Sequence, residues 1–421
     1  MMNIETYNTI PQANNSFNNQ NKKETFFTVK LVKSGLADML WQLSLLYRVA
    51  QLLDYTYVHT PINYDKRYRL NFLGKTIKKI ENAINKLIKI DRYSHITSNF
   101  LGLDRLKYNI NEQKFIKYKI IEVPISEIYQ EDKISDIEQL KEYVKEFING
   151  VNPTSKKVIY CLTFTPELYK GLRAFHLYDL LNNVDPEAIA LNPLKFQLAE
   201  SYRKAREYRP VDIPFNDEKV KVVVHLRKGD RMLVNLNKKL IGVFSTKVKV
   251  LESLSDLSEW ENNNYSNSNE TYKADNLLQK IFDRYGKDNF SVIVMTDGYE
   301  RTFQNIRHAI SKGEITLSQE EKRQLYLAEK TANQEFENFS HHSNVSTIIG
   351  ESEKNTFPSI HAIVSADIVI KTTGGFAWVL HSLFKSPTRP SAIIQLGQDE
   401  DKTVEDIGLF LAENISGFKS R

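Results

Sequence analysis

From residue 25 onward, short apolar runs alternate with longer stretches in which apolar residues recur every three or four positions. Thr25-Phe26-Phe27-Thr28-Val29-Lys30-Leu31 reads as a strand. After Ser34-Gly35 come Leu36, Met39, Leu40, Leu43, Leu46, Tyr47, Ala50 and Leu53, the spacing of one apolar face of a helix. A second strand, Tyr55 to Thr60, stops at Pro61. Strand, glycine turn, helix and strand make a βαβ unit, which implies a parallel sheet. The stretch 65–115 is rich in Lys and Ile, with helical spacing from Ile77 to Ile90. Strand character returns at Ile120-Ile121-Glu122-Val123, and Ser135-Asp136-Ile137-Glu138 has the form of a capping box opening a helix that ends before Gly150. Lys157 to Phe164 is a buried strand, Thr165-Pro166 has the form of a helix start, and Pro193 to Tyr208 is a polar helix.

The second half repeats the alternation after a link at Pro210 to Asn216. Strands are expected at about 219–226, 290–296, 345–349, 367–371 and 391–396, with helices between them, one opened by Ser318 and Glu321 as a capping box. Asn262 to Thr271 is low in complexity and reads as a surface loop, and Thr403 to Ile415 as a closing amphipathic helix. The expected fold class is α/β: two Rossmann-like parallel-sheet domains facing across a cleft. Its expected parts are a disordered tail over 1–24, an N-terminal domain over 25–210, a C-terminal domain over 216–400 and a final helix over 401–421.

Composition narrows the class. A net charge of +5 spread over 421 residues, with no basic block interleaved with aromatics, argues against nucleic acid as partner. The single cysteine, Cys161, lies in an apolar run and reads as a small buried hydrophobe, which suits a reducing compartment. Residues 1–24 are polar and Asn-rich, unlike a signal peptide, and no apolar run reaches the roughly 20 residues of a membrane span. A cytoplasmic protein is expected, of a composition common in bacteria. The Lys-rich 75–90 stretch suits peripheral contact with an anionic membrane.

Four motifs sit at strand ends or in the turns after them. The first is Ser34-Gly35-Leu36-Ala37-Asp38, where Gly35 lets backbone approach a ligand at a helix amino terminus. The second is His225-Leu226-Arg227-Lys228-Gly229-Asp230, directly after a β-branched run. There an always-charged guanidinium stands where open α/β sheets bind ligands. A strand-end salt bridge between Arg227 and Asp230 is the plain alternative. The third is Thr296-Asp297-Gly298, whose Asp297 either caps the next helix or joins the ligand site. The fourth is Ser365-Ala366-Asp367 running through Lys371 into Thr372-Thr373-Gly374-Gly375-Phe376, where two glycines at a strand-to-helix turn can nest phosphate oxygens.

In this order the motifs resemble the metal-independent GT-B fucosyltransferase superfamily, which includes bacterial α-1,2- and α-1,6-fucosyltransferases and protein O-fucosyltransferases. The resemblance covers the first forty-odd residues of the folded part and roughly 219–385. It implies inverting transfer from a GDP-sugar, most often GDP-fucose, to a hydroxyl of a glycan or protein acceptor, with no metal and no further cofactor. It further implies that Arg227 binds the β-phosphate and that His225 contacts the nucleotide. Asp297 and Asp367 would join the donor site, Asp367 by pairing with guanine. Lys371, Thr373, Gly374 and Gly375 would surround the diphosphate, and Phe376 would pack near the nucleoside.

Two positions depart from the superfamily. Ala37-Asp38 stands where its members usually carry Gly-Asn, and Gly374-Gly375 where they commonly carry paired serines. Asp230 and Asp38 are the candidate general bases, since an inverting transfer needs a group within reach of the acceptor proton. His341-His342 and His361 lack a carboxylate or cysteine at ligand spacing and read as solvated surface. The Asp399-Glu400-Asp401 triplet reads as the acidic head of the last helix. The rival readings are another nucleotide-sugar donor on the same fold, and a nucleotide-binding scaffold without turnover.

Overall fold

The computed structural model describes residues 25–31, 35–60, 62, 92–106, 108, 110, 112–125, 136–151, 157–163, 193–229, 231–236, 239–244, 247–252, 256, 270–350, 353–372, 374–397 and 399–415. The expected tail over 1–24, the helix over 77–90, the helix opened by Thr165-Pro166 and most of the loop read from Asn262 to Thr271 lie outside these residues; Glu270 and Thr271 at the end of that loop are instead buried in the first turn of a helix. The chain divides into two compact units. One holds the described residues through Pro210 together with Ser382–Thr388, and the other holds Val211–His381 with Arg389 onward.

In the N-terminal unit, β1 (Phe26–Lys30), β2 (Thr56–Tyr57), β3 (Lys119–Pro124) and β4 (Val158–Thr163) form a parallel sheet in the order β2-β1-β4-β3. Helix α1 (Leu36–Leu52) connects β1 to β2 and buries Leu36, Met39, Leu40, Leu43 and Leu46, the face read from the sequence. On β1, Phe26 packs edge-on against Phe115, Tyr108 and Tyr118, while Phe27 meets Tyr47 and Tyr57. Aromatic side chains on adjacent positions thus weld both faces of the strand. Helix α2 (Arg92–Leu101), α3 (Ile137–Gly150) and α4 (Pro193–Tyr208) complete the described part. The cap of α3 falls one residue later than the sequence suggests: Asp136 accepts from the Gln139 amide at 2.9 Å, and Ser135 lies outside the described residues.

The C-terminal unit is built on β5 (Val220–Leu226), β9 (Phe290–Thr296), β10 (Val345–Ile349), β11 (Ile368–Lys371) and β12 (Ala392–Gln395), all parallel, in the order β10-β9-β5-β11-β12. Counted along the chain this is 3-2-1-4-5, the nucleotide-binding arrangement in which strand order reverses beside the first strand. Strand β5 is central. Val222, Val223 and Val224 are all buried because helices cover both faces, and every residue of β9 is buried as well. Helices α5 (Glu270–Tyr285), α6 (Glu300–Ser311), α7 (Gln319–Thr331), α8 (Glu353–Ser365), α9 (Phe376–Phe384) and α10 (Glu400–Asn414) connect and cover the strands. The capping box of Ser318 and Glu321 forms at the head of α7, and Asp399 caps α10.

One element was not anticipated. Strands β6 (Arg231–Asn235), β7 (Leu240–Phe244) and β8 (Lys247–Leu251) form an antiparallel meander between β5 and α5. Its inward residues Val234, Ile241 and Val243 extend the core of the parallel sheet. Among the described residues, no helix is long and apolar enough to cross a membrane.

The fold makes Ile293, fully buried at the centre of β9, a sensitive core position. Ile293→Ala is expected to lower the stability of the C-terminal unit by about 2–5 kcal/mol through lost burial and a residual cavity. Urea denaturation should show this as a fall in midpoint at unchanged slope.

Candidate functional site

Three loops meet at the carboxyl edge of the second sheet, where β5 adjoins β9 on one side and β11 on the other. The loop after β5 is held by its neighbours. Asp297 Oδ1, just past β9, accepts from the amides of Lys228 at 2.9 Å and Gly229 at 2.7 Å. Thr372 Oγ1, just past β11, accepts from the Arg227 amide at 2.9 Å, and the Thr372 amide donates to the His225 carbonyl at 3.1 Å. Thr302 adds a hydroxyl to the Gly229 carbonyl at 3.0 Å. A Cβ at Gly229 would lie 2.6 Å from Asp297 Oδ2 and 2.6 Å from the Gly298 carbonyl oxygen, so only glycine permits this approach.

The Arg227 side chain runs onto the turn after β11. A Cβ at Gly374 would lie 2.8 Å from Arg227 Nη1 and 3.1 Å from its Cδ, and Gly374 has φ +108°, where L side chains are strained. Gly375 then leads into α9, whose first residue is Phe376. The Phe376 ring stacks on the His225 imidazole at 5.6 Å between centroids. His225 and Lys371 are register partners on β5 and β11, so their side chains share a face. Burial, with the charges of Arg227 and Lys371 beside it, brings the His225 imidazole down to about 4, and it is neutral at pH 7. The Lys371 ammonium donates to Gln395 Oε1 at 2.6 Å, and burial lowers its pKa.

The structure thus brings together His225, Arg227, Asp297, Lys371, Gly374, Gly375 and Phe376. It corrects two sequence readings. Asp367 stands at the amino end of β11, its carboxylate accepting from the Lys221 amide at 3.0 Å, so it belongs to the opposite edge of the sheet from Arg227. It is a strand-pairing residue there, not a partner for a base. Asp297 does not cap the helix after it, since Tyr299 holds that position, but clamps the neighbouring loop. Asp230 and Thr373 lie outside the described residues. Gly35 and Asp38 belong to the N-terminal unit, at the head of α1, where Asp38 is exposed in the first turn.

Residues that sequence reasoning passed over complete the site. Thr372 secures Arg227, and the buried Lys228 places its ammonium 3.9 Å from Glu335, which accepts from the Tyr299 hydroxyl. The Thr372 position was visible in the fourth motif as a second hydroxyl before the glycines. Nothing local in the sequence points from Glu335 to Lys228.

No protein-family profile matches the chain, and no curated protein matches it by sequence. Among solved structures, a mutant of Arabidopsis thaliana FUT1 in complex with GDP aligns at TM-score 0.29 and 10% identity, over 86% of this chain and 69% of that one. The NodZ alpha-1,6-fucosyltransferase soaked with GDP-fucose aligns at TM-score 0.29 and 10% identity, over 88% of this chain and 100% of that one. The fold rests on strand order and register, not on these alignments.

Two outcomes are expected of the site itself. Gly374→Ala should destabilise the C-terminal unit by about 1–2 kcal/mol, from the strained backbone and the push on Arg227, read as a lower unfolding midpoint. The His225 shift sets a pH dependence. Its folded pKa of about 4 lies below the ordinary 6.5, so between these values the unfolded chain binds a proton the folded one refuses. This contribution is whole above about pH 6.5 and declines as pH falls toward 4. Urea midpoints measured down that window should fall more steeply for the natural chain than for His225→Phe.

Proposed function

We propose that the chain is an inverting glycosyltransferase of the GT-B kind, which moves fucose or a related sugar from a GDP-sugar to a hydroxyl on a glycan or protein. The observation that carries this reading is the Arg227 guanidinium packed over Gly374 where the strand order reverses. Ligands of open α/β sheets bind at that reversal, and the turn before α9 offers backbone N–H donors at a helix amino terminus. The order of the four motifs along the chain supports the same reading.

In this mechanism Arg227 pairs with the β-phosphate and neutralises the charge that grows on the departing diphosphate. The clamp from Asp297 and Thr372 fixes the backbone that presents it, so the donor is aimed before the sugar leaves. Neutral His225 offers the nucleotide a hydrogen bond. Lys371 contributes charge from the next strand while held by Gln395. Asp230 and Asp38 are the carboxylates proposed to take the proton of the acceptor hydroxyl.

Arg227→Ala is expected to lower transfer by about 100- to 1,000-fold, the scale of removing one aimed donor at a developing charge. Its thermal midpoint should stay near that of the natural chain. Thermal shift with GDP, GDP-fucose, GDP-mannose and UDP-sugars reads the donor directly: stabilisation by guanosine compounds alone is expected. Equal response to uridine compounds assigns another donor. GDP binding without turnover, unaffected by Arg227→Ala, would mark a scaffold and overturn the proposal.

A further inference from the structure

At the amino end of β10, on the edge of the second sheet away from Arg227, three metal-ligating side chains converge. Asp275 comes from α5, and His341 and His342 from the end of the 3-10 segment Ala332–His341 and the residue after it. His342 Nε2 lies 2.9 Å from Asp275 Oδ1, and His341 Nε2 lies 3.8 Å from the same oxygen. One ligand atom from each of the three falls within 4.8 Å of the others. The two rings approach to 3.7 Å between centroids, tilted by 42°. The sequence reading of this pair as solvated surface holds for the exposed His341 and is corrected for His342, which is buried against Phe282, and the missing carboxylate arrives from a distant helix.

The tautomer of His341 follows from its partner. Its Nδ1 is hydrogen-bonded to the Asn338 carbonyl oxygen. A carbonyl only accepts, so Nδ1 carries a proton; in the neutral ring the lone pair is then on Nε2, the nitrogen that faces Asp275 and His342. A backbone acceptor behind the ring is the arrangement that orients metal-ligating histidines. A hydrogen bond between His342 and Asp275 accounts for two of the three groups. The more exposed His341 turns its Nε2 to the same oxygen, so all three groups converge on one point. Tetrahedral zinc bound at 2.0–2.2 Å holds ligand atoms about 3.3 Å apart, a value that 2.9 and 3.8 Å straddle.

We propose that Asp275, His341 and His342 form a binding site for a divalent transition-metal ion, zinc by its two imidazoles and one carboxylate. The side chain of His341 is 55% exposed, which leaves a face for water as a further ligand. The ion would fasten α5 to the segment that feeds β10. It lies away from the carboxyl edge and takes no part in sugar transfer, so the site stands or falls independently of the function proposed above.

The test uses tag-free full-length protein, stripped with chelator and titrated with zinc alone by calorimetry, with magnesium and calcium as controls. Binding saturating at one equivalent is expected, with a thermal midpoint raised by roughly 2–5 °C at excess zinc. Cobalt in place of zinc should give the visible absorption of a low-coordinate site. His341→Ala, at an exposed position, and Asp275→Asn, which can still hydrogen-bond His342, should each weaken zinc at least about 10-fold with the circular dichroism spectrum unchanged. No saturable binding to the natural chain, or binding that both variants retain, overturns the proposal. If Asp275→Asn fails to fold, His341→Ala and His341→Gln decide the matter.

Discussion

The loop after β5 depends on two oxygen atoms. Asp297 Oδ1 takes two consecutive amides and Thr372 Oγ1 takes the one before them, so three backbone donors in a row are bound by the strands on either side. Unsatisfied amides at a buried strand end are costly, and a carboxylate sharing two of them is among the stronger pairings available. The loop is therefore a fixed shelf. Arg227 leaves it at a set angle, onto a glycine that has no side chain to push it away. Exchanging either acceptor for an apolar residue would free the backbone, and at Asp297 it would also remove a negative charge from beside the loop.

The architecture around this shelf explains why both neighbours are needed. Strand β5 is first in the chain among the five yet sits in the middle, with β9 and β11 on opposite flanks. Each flank delivers one of the oxygens. The motif at the end of β5 supplies only the cation, the imidazole and the glycine, and its geometry is completed by residues 69 and 145 positions further on.

Much of this was legible in the sequence, for physical reasons. The β-branched runs at 220–226 and 290–296 are buried on both faces and carry a strong signal, and the Leu36 to Leu53 spacing gave its helix directly. The meander over 231–251 was missed because β6 and β7 are short apolar runs without a two-residue period; among its strands β8 alone alternates, with Lys247 and Lys249 exposed and Val248 and Val250 turned inward. Asp367 was misjudged because its role was carried over from the resemblance, although the strand read over 367–371 already puts it at the amino end. Four residues of β11 separate it from the working edge. Glu335 and Asp275 were beyond reach for a related reason. Each meets its partner through packing of separate elements, which no local spacing records.

The central position of β5 has a cost during synthesis. Its Val-rich run leaves the ribosome early, but the pairing on its β11 flank waits until some 145 further residues have emerged. Until then an apolar strand with an open edge stands exposed, the kind of surface that pairs with other chains or engages chaperones. Long-range parallel pairing is also slow to form. The same placement that lets one strand be flanked on both sides thus leaves the nascent C-terminal unit in need of protection while it folds.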